Sequence, residues 1–239
     1  MVYCKVHDLC SLECILNRPH IILVHGMWMT GIDMSLLRYR LRRYGYQVSL
    51  FSYPSVRLSL TQNAERLNKF VQSIARSQCG AHSGDALHFV AHSLGGLLIR
   101  QLFHDYPQQR PGRVVTLGTP HQGSMVVKRL SRYRMWRALF GKSLHHGLLG
   151  DVPAWHSDHE IGVLAGRLSV GMGNLVSHLP RPNDGTVALV ETPLNGMSDY
   201  KVLKITHMSM LVLPIVAREV HQFLSTGTFV DQDKDGSLL

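Results

Sequence analysis

Charged residues, cysteines and long apolar runs are all scarce in this chain. Only 17% of the 239 residues are charged and 45% are hydrophobic, a composition that excludes an intrinsically disordered protein. No run of 18 or more apolar residues occurs, so no membrane-spanning helix is predicted. The cysteines lack the paired spacing of a zinc site, and we expect free thiols, with a Cys10–Cys14 disulfide as the alternative. The apolar content is sufficient for one substantial core, which predicts a single domain over residues 1–239.

Acidic residues are rarer than basic ones. The net charge is +9, and the excess lies in residues 34–142, where only Glu65, Asp85 and Asp105 are acidic. Such a balance is compatible with an anionic partner, which could be nucleic acid, a membrane surface or an acidic substrate. Because the N-terminus has no apolar stretch of signal-peptide length, we expect a cytoplasmic protein, with peripheral membrane contact as the alternative.

Short apolar runs alternate with helical patterns along the chain. This alternation favours an α/β fold in which about six mostly parallel strands are flanked by helices. The predicted strands are 19–25, 48–53, 86–91, 113–117, 161–166 and 201–205, and the predicted helices are 32–44, 62–77, 94–106 and 209–224. Thr61 is the expected cap of the second helix. Because parallel sheets bind ligands at the carboxyl ends of their strands, functional residues are expected just after each strand.

The stretch between the fourth and fifth strands, about residues 124–159, is too long for a simple crossover. It predicts a small helical cap. Within residues 126–142, five apolar residues share one helical stripe: Val126, Leu130, Tyr133, Trp136 and Phe140. Basic side chains surround this stripe. This pattern is typical of a mobile cap that meets anionic interfaces or lipid substrates, and equally of a helix packed on the core with a solvated basic face.

A candidate nucleophile follows the third predicted strand. The sequence from Ala91 to Gly95 matches the pattern G-x-S-x-G with alanine in the first position. Small residues are needed there because the strand turns sharply into a helix and the serine backbone is strained. Ser93 is therefore the predicted nucleophile, and the alternative is an ordinary serine in a glycine-rich turn. The elbow is expected to direct His92 away from the reactive centre.

A small residue just past the first strand allows the next backbone N–H to point into the same site. Here the sequence is His25-Gly26-Met27. The N–H groups of Met27 and Leu94 are the predicted oxyanion hole, which stabilises charge that develops in a transition state. The His25 ring is expected to order the loop.

A serine nucleophile needs a base and an acid that orients the base. His207 directly follows the sixth predicted strand, and the order Ser…Asp…His favours it. His121, after the fourth strand, is the main alternative. Asp184 lies in a tight-turn sequence after the fifth strand and is the predicted acid. Asp199 and Asp158 are its alternatives, and Asp184 could also serve only to close the turn.

Apolar residues near these motifs could form an acyl pocket. We predict that Trp28, Met29 and Met125 bind substrate, because methionine adapts to varied apolar ligands; the alternative is that they belong to the core. A group of histidines and carboxylates in and after the cap matches no strong metal motif, so neither a metal nor a cofactor is predicted. The group comprises His145, His146, Asp151, His156, Asp158, His159 and Glu160.

Five motifs recur in a familiar order: HGM, AHSLGG, GTPHQGS, NDGTV and HMSML. With them, the sequence resembles the α/β-hydrolase superfamily, and within it the bacterial lipase/esterase group, over nearly the whole chain from Pro19 onward. The resemblance implies an α/β-hydrolase fold. It also implies that Ser93, Asp184 and His207 are the catalytic triad.

The resemblance further implies a serine carboxylic-ester hydrolase. Such an enzyme acts through an acyl-enzyme intermediate, here on lipophilic or short-to-medium acyl esters, which are small molecules or lipids. A thioesterase, amidase or transacylase with the same triad is one alternative, and an inactive hydrolase-fold binding protein is another. No nucleic-acid partner is predicted, because no recognised binding module accompanies the basic charge.

Overall fold

The structure is a computed structural model that describes residues 18–77, 87–109, 112–155, 159–171 and 179–230. All four cysteines and the candidates His156 and Asp158 lie outside the described residues, as do the side chains of His145 and His146.

Six strands form one parallel sheet with the order β2-β1-β3-β4-β5-β6. They are β1 (His20–Val24), β2 (Gln47–Phe51), β3 (Leu87–His92), β4 (Val114–Leu117), β5 (Ile161–Gly166) and β6 (Asp199–Leu203). Every neighbouring pair is parallel, so all six carboxyl ends lie at one edge of the sheet. The predicted α/β class and strand number are confirmed; the single domain stays a prediction.

Helices cover both faces of the sheet. They are α1 (Ser35–Arg43), α2 (Leu60–Ser77), α3 (Leu94–Asp105), α4 (Met125–Leu130), α5 (Arg134–Phe140) and α6 (Pro214–Thr226). One apolar cluster joins the sheet to α2, α3 and the cap, and a second joins it to α1 and α6. None of the helices in the described ranges has the length and apolar character needed to cross a bilayer.

The start of α2 differs from the prediction. Ser59, and not Thr61, caps this helix, because Ser59 and Gln62 exchange hydrogen bonds. The Gln62 N–H donates to Ser59 Oγ (3.2 Å), and the Ser59 N–H donates to Gln62 Oε1 (3.1 Å). This reciprocal pair satisfies two N–H groups that have no acceptor inside the helix.

The predicted stripe of the cap, residues 126–142, is divided between two short α-helices and is not continuous. The chain leaves α4 at Ser131, whose Oγ–H donates to the Lys128 carbonyl (3.1 Å), and resumes as α5 after Tyr133. A serine that bonds the preceding turn competes with the helical backbone. Tyr133 has an extended backbone and is exposed, so its predicted place on the stripe is wrong. A 3-10 turn (Gly141–Ser143) and a π-helix (Leu144–Leu148) complete the excursion.

A buried arginine ties the cap to the sheet. Arg100 of α3 donates to the His121 carbonyl (2.7 Å) and to the Pro153 carbonyl (2.7 Å). Burial lowers the pKa of its guanidinium to about 10. Arg100 therefore fixes the return of the cap against the turn that follows β4.

Candidate active site

Ser93 lies at the sharp turn between β3 and α3. Its backbone has φ 53° and ψ −123°, a conformation that a non-glycine residue rarely adopts. Three hydrogen bonds hold it there. The Ser93 N–H donates to the Leu117 carbonyl (2.9 Å), and the Ser93 carbonyl accepts from the Gly96 N–H (3.0 Å) and from the Thr119 hydroxyl (2.9 Å). Strain of this kind persists only where surrounding contacts impose it.

The glycines after Ser93 allow α3 to approach neighbouring backbone. A Cβ on Gly95 would lie 2.6 Å from the Val24 carbonyl oxygen, and one on Gly96 would overlap Thr119 Oγ1. Neither contact leaves space for a side chain. The small residues in this motif thus bring the start of α3 up against β1 and the turn after β4.

Asp184 and His207 form a buried hydrogen-bonded pair. His207 Nδ1–H donates to Asp184 Oδ2 over 2.7 Å, and the His207 N–H donates to the Asp184 carbonyl over 2.8 Å. Asp184 Oδ1 accepts from the N–H groups of Thr186 and Val187 (2.9 and 2.7 Å). These bonds fix the Nδ1–H tautomer of His207 and leave its Nε2 able to accept a proton.

Gly118, which follows β4, makes room for this pair. Its φ is +58°, and a Cβ there would lie 2.9 Å from His207 Nδ1 and 3.1 Å from Asp184 Oδ2. Sequence reasoning included this residue as the first of the motif GTPHQGS but assigned it no role. A glycine immediately after a strand and at the start of a motif is the signal that could have identified that role.

His92 lies against His207, contrary to the expectation that the elbow turns it away. The two ring centroids are 4.5 Å apart, and His92 Nε2–H donates to the His207 carbonyl (3.2 Å). Burial, and next the positive charge that His207 can carry, hold the pKa of His92 well below its usual value. A neutral His92 therefore supports the backbone of His207.

The loop after β1 is ordered by His25, as the sequence predicted. His25 Nδ1–H donates to the Gly26 carbonyl (2.8 Å), its Nε2 accepts from the Tyr53 N–H (3.1 Å), and the two rings stack 4.4 Å apart. One ring nitrogen donates a hydrogen bond and the other accepts one, as in a neutral imidazole, and burial lowers the pKa of this histidine.

The two candidate oxyanion donors lie where the loop after β1 and the start of α3 meet. Leu94 is the first residue of α3, where an N–H has no acceptor within the helix. The Trp28 N–H donates to Ser55 Oγ (3.0 Å), whereas neither Met27 N–H nor Leu94 N–H donates to a described residue. Their role as an oxyanion hole stays a prediction.

A cavity of about 580 Å³ opens beside Ser93 and His207. Its walls are mostly apolar and come from the loop after β1, the cap and the turn after β6, including Met27, Trp28, Met29, Leu130, Trp136, Phe140 and Met208. Trp28 and Met29 line it as predicted. Met125 does not line it and is exposed at the start of α4. The binding role of all three stays a prediction.

The alternative triad members lie elsewhere. His121 is buried, its Nε2 lies 3.1 Å from Thr116 Oγ1, and it does not line the cavity. Burial, and next the Arg100 charge, lower its pKa to about 3, so it does not suit a base near neutral pH. Asp199, at the start of β6, accepts from the N–H groups of Tyr200 and Phe229 (both 2.7 Å).

The described part of the chain contains no group of three or more side chains that could hold a metal ion. Two of the carboxylates that were weighed as metal ligands have other partners in the described ranges. Glu160 pairs with Arg113 (2.6 Å), and Asp151 Oδ1 accepts from the Gly147 N–H (2.8 Å).

Comparison with known families gives one match over most of the chain. A sequence model of the alpha/beta hydrolase family matches residues 21–208. No curated protein matches significantly.

Solved structures with the same fold are distant in sequence. A lipase from Bacillus licheniformis, BlEst2, has a TM-score of 0.70 at 19% identity, and the match covers 89% of this chain and 93% of that one. A metagenomic carboxyl esterase has a TM-score of 0.61 at 16% identity, over 88% and 75%. The thioesterase RedJ from Streptomyces coelicolor has a TM-score of 0.52 at 14% identity, over 87% and 88%. At these identities the similarity concerns the fold alone.

Proposed function

The chain belongs to the alpha/beta hydrolase family, and from this premise we propose that it is a serine carboxylic-ester hydrolase. One observation carries the proposal. A serine on a strained strand-to-helix turn and a histidine that is hydrogen-bonded to a buried aspartate line the same apolar cavity.

In the acylation step, His207 Nε2 takes the proton from Ser93 Oγ while that oxygen bonds to the ester carbonyl carbon. The carbonyl oxygen becomes an oxyanion and accepts hydrogen bonds from the N–H groups of Met27 and Leu94. Asp184 stabilises the resulting imidazolium. When the tetrahedral intermediate collapses, the bond to the leaving oxygen breaks, His207 returns the proton to that oxygen, and the alcohol departs.

In the deacylation step, water takes the part that Ser93 has in acylation. His207 takes a proton from a water molecule whose oxygen attacks the acyl carbon. Collapse of the second intermediate breaks the bond to Ser93 Oγ, which regains its proton from His207. The products are one carboxylic acid and one alcohol.

The cavity supports a lipophilic acyl ester as substrate. Its walls are formed mainly by methionine, tryptophan, phenylalanine, leucine and valine side chains. Burial of an alkyl chain against such walls is favourable by about 0.8 kcal/mol for each methylene group. A charged acyl group would lose its hydration there without an opposite charge.

Hydrolysis of a nitrophenyl-ester series of increasing acyl length tests this proposal. We expect Ser93→Ala to reduce kcat by several orders of magnitude for every ester, because the nucleophilic oxygen is absent. The matched control is Ser73→Ala, an exposed serine on α2, which should retain full activity. A fluorophosphonate should modify the wild type and the control, and leave Ser93→Ala unmodified.

Two outcomes would contradict the proposal. Equal rates for wild type and Ser93→Ala would exclude Ser93 as the nucleophile. Absence of ester turnover together with an unmodified Ser93 would favour a binding protein on a hydrolase fold, and turnover of thioesters alone would assign a thioesterase.

A further inference from the structure

Apolar side chains are exposed around the mouth of the cavity. Trp28, Leu139, Val170 and Met208 all line the cavity, yet 47–64% of each residue is accessible to water. Because all four line the same cavity and are exposed, they give its mouth an apolar rim. Rims of this kind mark places where a protein meets an apolar partner.

The exposed surface of the cap beside this rim is strongly basic. The exposed basic residues of the cap are Lys128, Arg129, Arg132, Arg134, Arg137 and Lys142. The sequence contains no aspartate or glutamate from residue 124 to residue 150. In the described ranges, no ion pair is assigned to Lys128, Arg132, Arg134, Arg137 or Lys142, whereas Arg129 has an interaction partner. The cap therefore presents positive charge that its own surroundings do not neutralise.

Apolar and basic side chains are also adjacent within α5. Met135 is 73% exposed and lies between Arg134 and the partly buried Trp136, and Arg137 follows one residue later. A surface that combines exposed apolar groups with uncompensated positive charge is complementary to the headgroup region of an anionic bilayer, where the apolar groups enter the acyl boundary.

We propose that the basic part of the cap, residues 125–142, and the rim of the cavity dock onto an anionic phospholipid bilayer, from which the site draws its acyl ester. The identity of the substrate rests on the proposed esterase function. The docking rests only on the surface of the cap and the rim. A nucleic acid would pair with the basic residues but would leave the apolar rim in water. A second copy of the chain would bring one basic cap against another.

Vesicle sedimentation tests the docking separately from catalysis. The protein is the full chain with Ser93→Ala, so that hydrolysis does not alter the vesicles. The vesicles are phosphatidylcholine alone or phosphatidylcholine mixed with phosphatidylglycerol. We expect binding to the mixed vesicles only, and expect it to weaken as salt is raised, because salt screens charges at an exposed surface.

Two charge-matched variants locate the surface. Arg132→Gln with Arg134→Gln should weaken binding to the mixed vesicles by roughly 20- to 30-fold, about fivefold for each charge removed. The control is Arg42→Gln with Arg43→Gln. These residues end α1, and β2 begins at Gln47 shortly afterwards, so they lie near the amino ends of the parallel strands and away from the cavity at the carboxyl ends. The control should bind within about twofold of the parent. Met135→Ser should weaken vesicle binding and leave hydrolysis of soluble nitrophenyl esters unchanged.

Four results would overturn the docking proposal. These are equal binding to both kinds of vesicle, equal losses in the cap pair and the control pair, binding to duplex DNA that is as tight as binding to the mixed vesicles, and self-association that depends on the cap. A failed vesicle assay with intact nitrophenyl-ester hydrolysis would reject the docking alone. Intact vesicle binding without hydrolysis would reject the esterase proposal alone.

Discussion

At the scale of single residues, the Asp184–His207 pair depends on a position that has no side chain. Gly118 combines a left-handed backbone with contacts under 3.2 Å between its missing Cβ and the pair. Gly45, two residues after the end of α1, also has a positive φ of +94°, but a Cβ there would meet nothing within 4 Å. Substituting each glycine therefore distinguishes two effects. Both substitutions strain the backbone, but only the one at Gly118 also displaces the Asp184–His207 pair.

We expect Gly118→Ala to abolish most ester hydrolysis and Gly45→Ala to retain it. Both substitutions place alanine at positive φ and should lower the free energy of unfolding by about 1 kcal/mol or more. Only Gly118→Ala pushes on His207 Nδ1, so its kcat should fall by about 100-fold or more. Thermal denaturation and nitrophenyl-ester kinetics on both variants measure the two effects. Similar kcat values for the two variants would show that Gly118 does not position the pair.

At the scale of elements, one buried carboxylate joins the cap to the loop that carries Asp184. Glu191 accepts hydrogen bonds from the Met125 N–H, at the start of α4, and from the Ala188 N–H in the acid loop. Its own carbonyl accepts from the Gln122 N–H over 2.9 Å. Burial raises the pKa of this carboxyl, and the two N–H bonds act in the opposite direction. The loop that carries Asp184 and the start of the cap are therefore both held by the Glu191 carboxylate.

We predict that Glu191→Gln loosens the cap without removing any residue of the proposed triad. An amide has one acceptor oxygen, so one of the two N–H donors loses its partner, and the free energy of unfolding should fall by about 1–3 kcal/mol. If the substrate occupies the cavity as proposed, long acyl chains reach the cap, so KM should rise most for them and kcat should change less. Kinetics across the acyl series provide the measurement.

The control for this substitution is Glu160→Gln, whose carboxylate pairs with Arg113 in a partly exposed position. It should leave both KM and stability nearly unchanged, because pairs at the surface contribute little. A chain-length profile for Glu191→Gln that matches wild type would argue against this role of Glu191.

At the scale of the whole molecule, several histidines are buried in the neutral state. Burial is the leading cause that lowers the pKa of His25, His92, His88 (to about 4) and His121 (to about 3). In the unfolded chain these rings titrate near pH 6.5. Below that pH the unfolded chain binds more protons than the folded one, so stability falls as pH decreases toward the folded-state pKa values.

We expect the melting temperature to fall between pH 7.5 and pH 5, and His121→Gln to weaken this dependence. Removing His121 should reduce the loss of stability over that interval by about 2 kcal/mol, since its unfolded-state protonation no longer contributes. His104→Gln, an exposed position on α3, is the control and should keep the wild-type pH dependence. Parallel pH profiles for wild type and His121→Gln would contradict this account.

Much of the fold could be predicted because its signals are local. An apolar run of five residues, a glycine at the end of a helix and a strand–turn–helix pattern each depend on neighbours in the sequence. The strands were therefore predicted to within a few residues. The break in the cap at Ser131 could not be predicted, because the apolar spacing continues across it. The helix ends there where the Ser131 hydroxyl bonds the Lys128 carbonyl.

The sequence by itself determined the α/β class, the six strands, the strained turn at Ser93 and the candidates Asp184 and His207. Each follows from short patterns and from the rule that parallel strands present their carboxyl ends at one edge. Only the tertiary structure decided that Asp184 bonds His207, that His121 is buried away from the cavity, that His92 supports His207 and that Gly118 must lack a side chain. These relations join residues far apart in the chain, where close packing selects partners that local propensity does not specify.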